Sequence, residues 1–158
     1  MPVTLRGLED SELDLLFEWE QNARAVEMAA FTHADPSDRT AFDAHYERIR
    51  TDPAVLLRAI DDGGGLVGTI GSFTIDGDRE VTYWISPARW GEGLASAALR
   101  AFLDIELTRP LFARAADHNI GSITVLTRAG FERVGGDIGW ANGVGREVEE
   151  STFRYTRR

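Results

Sequence analysis

Gly91 and Gly93 stand between a segment rich in β-branched and aromatic residues, Val81 to Ile85, and an apolar-periodic run that begins at Leu94. Residues of these types, in this order, predict a strand, a stop, and a tight turn that opens a helix. Pro87 has no N–H to give to a ladder, so the strand is expected to end near Ser86. Beyond the turn, Leu94, Ala95, Ala98, Leu99, Phe102 and Leu103 make one apolar helical face, and Ser96, Arg100 and Asp104 a polar stripe. The free N–H groups of the helix N-terminus then point outward at the two glycines. The missing side chains let a bulky anion approach the backbone. The chemistry on offer is phosphate binding.

Three ligand classes use such a turn, and a plain tight turn is the bland alternative. A P-loop for nucleoside triphosphates needs Lys-Ser or Lys-Thr after the last glycine, and neither is present. Gly91 to Ser96 nearly fits the dinucleotide pattern G-x-G-x-x-G/A, and Asp117 stands about where a ribose-binding acid would. That pattern belongs on the first strand of a βαβ array, whereas here two or three hairpin-like strands come first. The third class is an acyl-CoA, held by its diphosphate at the helix N-terminus and by its pantetheine arm along the strand.

The elements that must position this turn can be followed along the chain. Val3 to Arg6 predicts a short first strand. Asp10 or Ser11 is expected to cap a helix with Leu13, Leu16 and Phe17 inward. Gln21 to Asp35 is ambiguous, with Phe31, Thr32 and His33 expected in a loop near the mouth of a site. Pro36-Ser37-Asp38 opens a helix carrying Phe42, Tyr46 and Ile49. Ala54 to Ile60 and Leu66 to Ile75 form a hairpin, and Asp76-Gly77-Asp78 turns the chain into the central strand. Gly68 and Gly71 mark a bulge or a close backbone approach. After the helix at Leu94, a strand from Pro110 to Ala116 is expected to lie parallel to the central one. A helix from Asn119 to Ala129 ends on Gly130, and two further strands start at Phe131 and Glu147.

Trp84-Ile85, Trp90-Gly91-Glu92-Gly93-Leu94-Ala95, Asn119-Ile120-Gly121-Ser122 and Ala129-Gly130-Phe131-Glu132 together resemble the GNAT N-acetyltransferase superfamily. Trp90, in a W-G-x-G-x-A form, is similar to the RimJ/RimL branch, which acetylates protein N-terminal amines. The resemblance covers nearly the whole chain and implies one α/β domain, residues 1–158, with a mixed sheet of six to seven strands and about four helices. It implies acetyl-CoA as cosubstrate and a primary amine, on a peptide N-terminus or a small molecule, as acceptor.

Acetyl transfer from a thioester needs an anchored diphosphate, a neutral amine, an oxyanion donor and a proton for the leaving thiolate. The amides of Gly91, Glu92, Gly93, Leu94 and Ala95, with the Ser96 hydroxyl, are placed for the first, and Trp90 precedes them. The resemblance implies that the backbone of Trp84, Ile85 and Ser86 holds the pantetheine amides. It also implies that Asn119 contacts the cofactor arm and that Ser122 gives the thiolate its proton. Asn119 also suits a helix cap, and Ser122 a packing role. Glu80 is the candidate base, sharing a strand face with residues 82 and 84. Glu20, His33 and His45 are the alternatives.

Composition bounds the rest. A chain of 158 residues suits one domain and buries about 70% of its unfolded surface. Apolar residues make up 43% and charged residues 27%, as in ordinary globular proteins. Without cysteine there is no disulfide and no thiolate ligand, and His33, His45 and His118 lack metal-ligand spacing. The net charge of −9 argues against nucleic acid and anionic membranes as partners and suits a cationic amine. No signal-peptide pattern or long apolar run occurs, so a cytoplasmic enzyme, with a homodimer left open, is expected. A non-catalytic acyl-CoA-binding module and a dinucleotide-dependent oxidoreductase are the rival readings.

Overall fold

The computed structural model describes residues 2–158. In chain order the elements are β1 (Thr4–Arg6), α1 (Leu13–Trp19), α2 (Ala23–Ala29), α3 (Arg39–Thr51), β2 (Leu56–Asp61), β3 (Leu66–Ile75), β4 (Asp78–Ile85), α4 (Leu94–Leu103), β5 (Leu111–Ala116), α5 (Ile120–Ala129), β6 (Glu132–Ala141) and β7 (Arg146–Tyr155). The strands make one mixed sheet in the order β1-β2-β3-β4-β5-β7-β6. Strands β1 to β4 run antiparallel, each beside the last, β4 meets β5 in parallel, and β7 lies antiparallel between β5 and β6. The expected α/β class, the antiparallel start of the sheet and the parallel placement of the strand after α4 are those observed. No helix among the described residues is long and apolar enough to cross a membrane.

Alternation along β4 assigns the two faces. Val81 is buried, and Tyr83 and Ile85 pack beside it, in the cluster that holds Leu94, Leu99 and Phe102 of α4 and Leu126 of α5. Burying each of those large side chains contributes about 1.5–3 kcal/mol, which fixes α4 on the sheet. Trp84 faces the other way, into a cluster built on Leu16 and Trp19 of α1 and Phe42 of α3. One face therefore carries α4 and α5, and the opposite face carries α1 and α3.

Local details refine or correct expectation in three places. Among the described residues there are five α-helices, in keeping with the about four expected, the added one being α2 within the ambiguous segment. Asn22 caps it by accepting from the Ala25 N–H, and of its residues only Ala25 is buried, so no apolar stripe announces it. The N-cap of α1 is Glu12, and Asp10 and Ser11 instead lie in a 3-10 turn, Asp10–Glu12, that precedes it and is capped by Glu9, whose N–H donates to the Glu12 carboxylate at 3.0 Å. Strand β3 keeps register against β4 but slips against β2 at Gly68, between Ile60 and Asp61, and a Cβ on Gly68 would collide with the Trp84 carbonyl, so this glycine carries both the bulge and the close approach.

Candidate active site

Ser86 donates its N–H to the Val67 carbonyl at 2.9 Å. In an antiparallel pair this fixes the parity: even-numbered β4 residues exchange hydrogen bonds with β3, and odd-numbered ones turn N–H and C=O toward β5. Strand β5 meets them only where Arg79 and Glu80 lie opposite Leu111 and Phe112. Beyond that point the strands part, and the main-chain groups of Tyr83 and the N–H of Ile85 face an open gap, the Ile85 carbonyl being taken by the Trp90 indole. Of the backbone donors expected at Trp84, Ile85 and Ser86, only Ile85 lies on this edge. The amides of Trp84 and Ser86 belong to the β3 ladder. The residue that sequence reasoning missed is Tyr83, one position along the same strand.

A cavity of about 700 Å³ runs through the gap. Glu80 and Trp84 line it from the α1/α3 face, and Tyr83, Ser122 and Leu126 from the α4/α5 face. Two compartments on opposite sides of the sheet thus communicate between β4 and β5. Phe31, Thr32 and His33 also line it, as the sequence suggested for the mouth of a site.

The glycine turn stands at the far end of β4. Gly91 and Gly93 have φ of +82° and +80°, which disfavours other residues, and a Cβ on either would meet nothing within 4 Å. The space before the N-terminus of α4 is therefore open to a large anion. Gly93 is the N-cap, and the first bond of the helix runs from the Ala97 N–H to the Gly93 carbonyl. The N–H groups of Leu94, Ala95 and Ser96 consequently have no carbonyl within the helix to donate to. The Glu92 side chain is turned aside by Arg89, whose Nε lies 2.9 Å from its carboxylate, while Arg89 also pairs with Asp62 at 2.9 Å. Trp90 braces the turn against the strand: its indole N–H donates to the Ile85 carbonyl at 3.1 Å, and the Arg24 guanidinium lies 5.3 Å over its ring.

Ser122, on the first turn of α5, places its Oγ 2.8 Å from the Tyr83 hydroxyl. Burial pushes the Tyr83 phenol up to about 12, against the pull of its bond to Ser122, so it stays protonated at neutral pH. Asn119 caps α5 by accepting from the Ser122 N–H at 3.1 Å, and its amide donates to the Met28 carbonyl at 3.2 Å. Its visible role is to set Ser122 in place and hold α2 against the β5–α5 loop.

Five carboxylates line the cavity, Asp35 and Asp38 beside the His33 loop and Glu80, Glu150 and Glu20 deeper in. Glu80 is the third residue of β4 and only 6% exposed, so it is not the solvated strand end that its place in the sequence suggests. Burial raises its pKa, opposed by Arg114, whose Nη2 lies 3.2 Å from Oε2. Glu150 lies 3.9 Å from the same guanidinium, and burial raises its pKa too. Glu20, just past the end of α1, is different. Its carboxyl is pushed up to about 7 by burial, with only the charge of His33 acting against that. His45 lies on α3 at the cavity wall, its pKa lowered chiefly by burial and then by Arg48. Asp117, the dinucleotide-type acid, accepts from the Ser151 hydroxyl at 2.6 Å, and an antiparallel run of strands precedes the turn. That rival loses both of its supports.

A sequence model described as "Acetyltransferase (GNAT) domain" matches residues 3–132. The chain belongs to the GNAT acetyltransferase family. It is accordingly an acyltransferase. No curated protein matches this acetyltransferase significantly. Its fold is similar to that of a spermidine N-acetyltransferase from Vibrio cholerae, solved with CoA and spermine, at 20% identity and a TM-score of 0.79 over 96% of this chain and 95% of that one. Mycobacterium smegmatis RimJ, solved with CoA-disulfide, gives 21% identity and a TM-score of 0.78 over 96% and 81%. AAC(6')-Ib with ribostamycin and coenzyme A gives 19% and 0.75 over 99% and 94%. At these identities the likeness to solved structures is one of fold.

Proposed function

We propose that this acetyltransferase moves the acetyl group of acetyl-CoA to a primary amine, on a small molecule or a protein N-terminus, by direct attack of the nitrogen on the thioester. The observation that carries this reading is the single cavity through the β4–β5 gap, which joins the Tyr83–Ser122 hydroxyl pair to an acid-lined compartment. Gly91 to Ser96 would receive the diphosphate, and the open β4 edge at Tyr83 and Ile85 the pantetheine amides and the thioester oxygen. The neighbours solved with CoA, and those solved with spermine or an aminoglycoside, support this division of the site. The W-G-x-G-x-A turn and the Asn119–Ser122 pair support a place near the RimJ/RimL branch, and we extend the reading to a cytoplasmic enzyme.

An incoming ammonium must first lose a proton, to water or to a carboxylate such as Glu80. As the nitrogen bonds to the acetyl carbon and the C–S bond breaks, the thiolate takes a proton from the Ser122 hydroxyl. Tyr83, hydrogen-bonded to that oxygen and protonated at neutral pH, replaces it and is reprotonated from solvent, while the nitrogen gives up its extra proton to water or to Glu80 as the amide forms. The test is acetyl-CoA-dependent thiol release across a panel of small amines and peptides. Amine-stimulated release supports the reading. A thermal shift with acetyl-CoA, but no release with any amine, would instead make the protein a CoA-binding module.

A further inference from the structure

We propose that Glu20 is the seat of a second positive charge on the acceptor, so that the preferred substrate is an extended diamine or polyamine-like cation. The proposal rests on the acetyltransferase reading and deepens its acceptor side. Glu20 follows the last residue of α1, where the helix dipole already disfavours negative charge. It lines the cavity beside Trp19, Phe42 and Tyr46. Among the described residues its carboxylate makes no hydrogen bond or ion pair, and His33 is the one positive influence on it. His33 is itself engaged with Asp35, whose N–H donates to its Nδ1 at 3.2 Å. A half-buried carboxylate among aromatic faces, without a counter-ion, is a seat that an ammonium completes by charge and by cation–π contact. The same aromatic cluster already holds a cation on another side, with the Arg39 guanidinium 5.0 Å over Phe17 and 5.3 Å over Phe42.

The other end of the cavity repeats the excess of negative charge. Glu80 and Glu150 share one guanidinium, that of Arg114, which leaves one carboxylate charge unbalanced. Trp84 packs in the cluster that holds Trp19, the neighbour of Glu20, and Glu80 lies four residues before Trp84 on β4. Two anionic regions of one cavity suit two nitrogens on one flexible chain better than a lone amine.

The test compares α,ω-diamines of increasing length with n-alkyl monoamines, by thiol release and by calorimetric binding to the acetyl-CoA-free protein. Diamines near the cavity's span are expected to show kcat/KM at least about tenfold above monoamines of equal length, as one added charge-assisted hydrogen bond in a half-buried site would give. Glu20→Gln should collapse that ratio through KM. A wild-type protein that prefers monoamines or peptide N-termini would overturn the proposal. So would a Glu20→Gln variant that lowers kcat equally for both amines and removes a limb of the pH profile, because Glu20 would then be a base. If no amine is acetylated, the transfer reading fails by itself. Calorimetry then decides alone: tighter diamine binding, lost in Glu20→Gln, supports the cation seat, and equal binding overturns it.

Discussion

Glu106 is a buried carboxylate and Glu20 a half-buried one, and the fold treats them in opposite ways. Glu106, just past α4, accepts from the Ser72 hydroxyl and from Arg79 Nε, each at 2.6 Å, and from the Thr108 N–H at 3.3 Å. Burial alone would raise its pKa, but these donors more than reverse it, and it titrates below the ordinary carboxylate range. Glu20 has the burial without the donors and is pushed up to about 7. Where the chain supplies partners, the charge fastens β3 and β4 to the end of α4. Where it withholds them, the charge is left for something outside the chain. The difference separates scaffold from site within one residue type.

The largest effect should follow from breaking the satisfied carboxylate. Glu106→Ala would leave the Arg79 guanidinium and the Ser72 hydroxyl without their shared partner, at a cost of about 3–5 kcal/mol read from urea unfolding. The pH dependence follows from the lowered pKa. The stability that Glu106 contributes is present above its unfolded pKa and is lost as pH falls through the folded one. Acid unfolding should therefore begin at higher pH for any variant that removes one of its donors.

Next comes the hydroxyl pair, which lies between the two extremes because its donors face each other across the gap. Ser122→Ala is expected to lower turnover by on the order of 10²-fold with little change in acetyl-CoA affinity, and Tyr83→Phe by less, since Ser122 keeps its own proton. Equal losses of affinity and stability in Ser122→Ala would reassign the serine to packing.

How much of this was legible in the sequence depends on the reach of each signal. The apolar face of α4 and the cap at Asn119 are local patterns, and both appear as expected. The two-residue turn at Asp76-Gly77 was equally visible, with φ of +51° and +86°. The helix α2 was not, since one buried alanine gives no period to detect. Tyr83 was in view as a strand residue. Only the register that puts Ser122 opposite it, 39 positions away, gives it a role. Glu20 reads in sequence as the end of an acidic helix, and its isolation depends on α3 and the His33 loop folding over it. Alternation along β4 was the one signal that could have moved the backbone donors from Trp84 and Ser86 to Tyr83.

A smaller effect tests the unsatisfied carboxylate in the free protein. A raised carboxyl pKa destabilises the folded state as pH rises from the unfolded value of 4.5 to about 7, since the native state must give up a proton it holds more tightly. Wild type should lose about 2 kcal/mol across that window after allowing for solvent screening, and Glu20→Gln should lose less. His33, Asp35, His45 and Tyr46 surround the group, so the comparison is read as a difference between the two proteins. A pair of identical stability curves would mean that Glu20 is solvated and the contrast with Glu106 is false.

The smallest effect is expected at Glu80. Burial raises its pKa and Arg114 opposes that, so it is a poorly poised base, and Glu80→Gln should lower kcat/KM by less than about tenfold. The rising limb of the pH profile should then follow the pKa of each amine, with the protein acting by holding a neutral nitrogen against the thioester. A limb that ignores the amine and vanishes in Glu80→Gln would make Glu80 the base.

The short contact between β4 and β5 has a mechanical consequence. Two residue pairs are all that join a four-stranded half of the sheet to a three-stranded half along this line, so the sheet carries a seam. A cofactor arm lying along Tyr83 and Ile85 would act as the missing rungs. The amides of those two residues should then exchange with solvent deuterium quickly in the free protein and slowly in the complex, while those of Trp84 and Ser86 stay protected throughout. Ligand would do for this protein what an eighth strand does for a closed sheet.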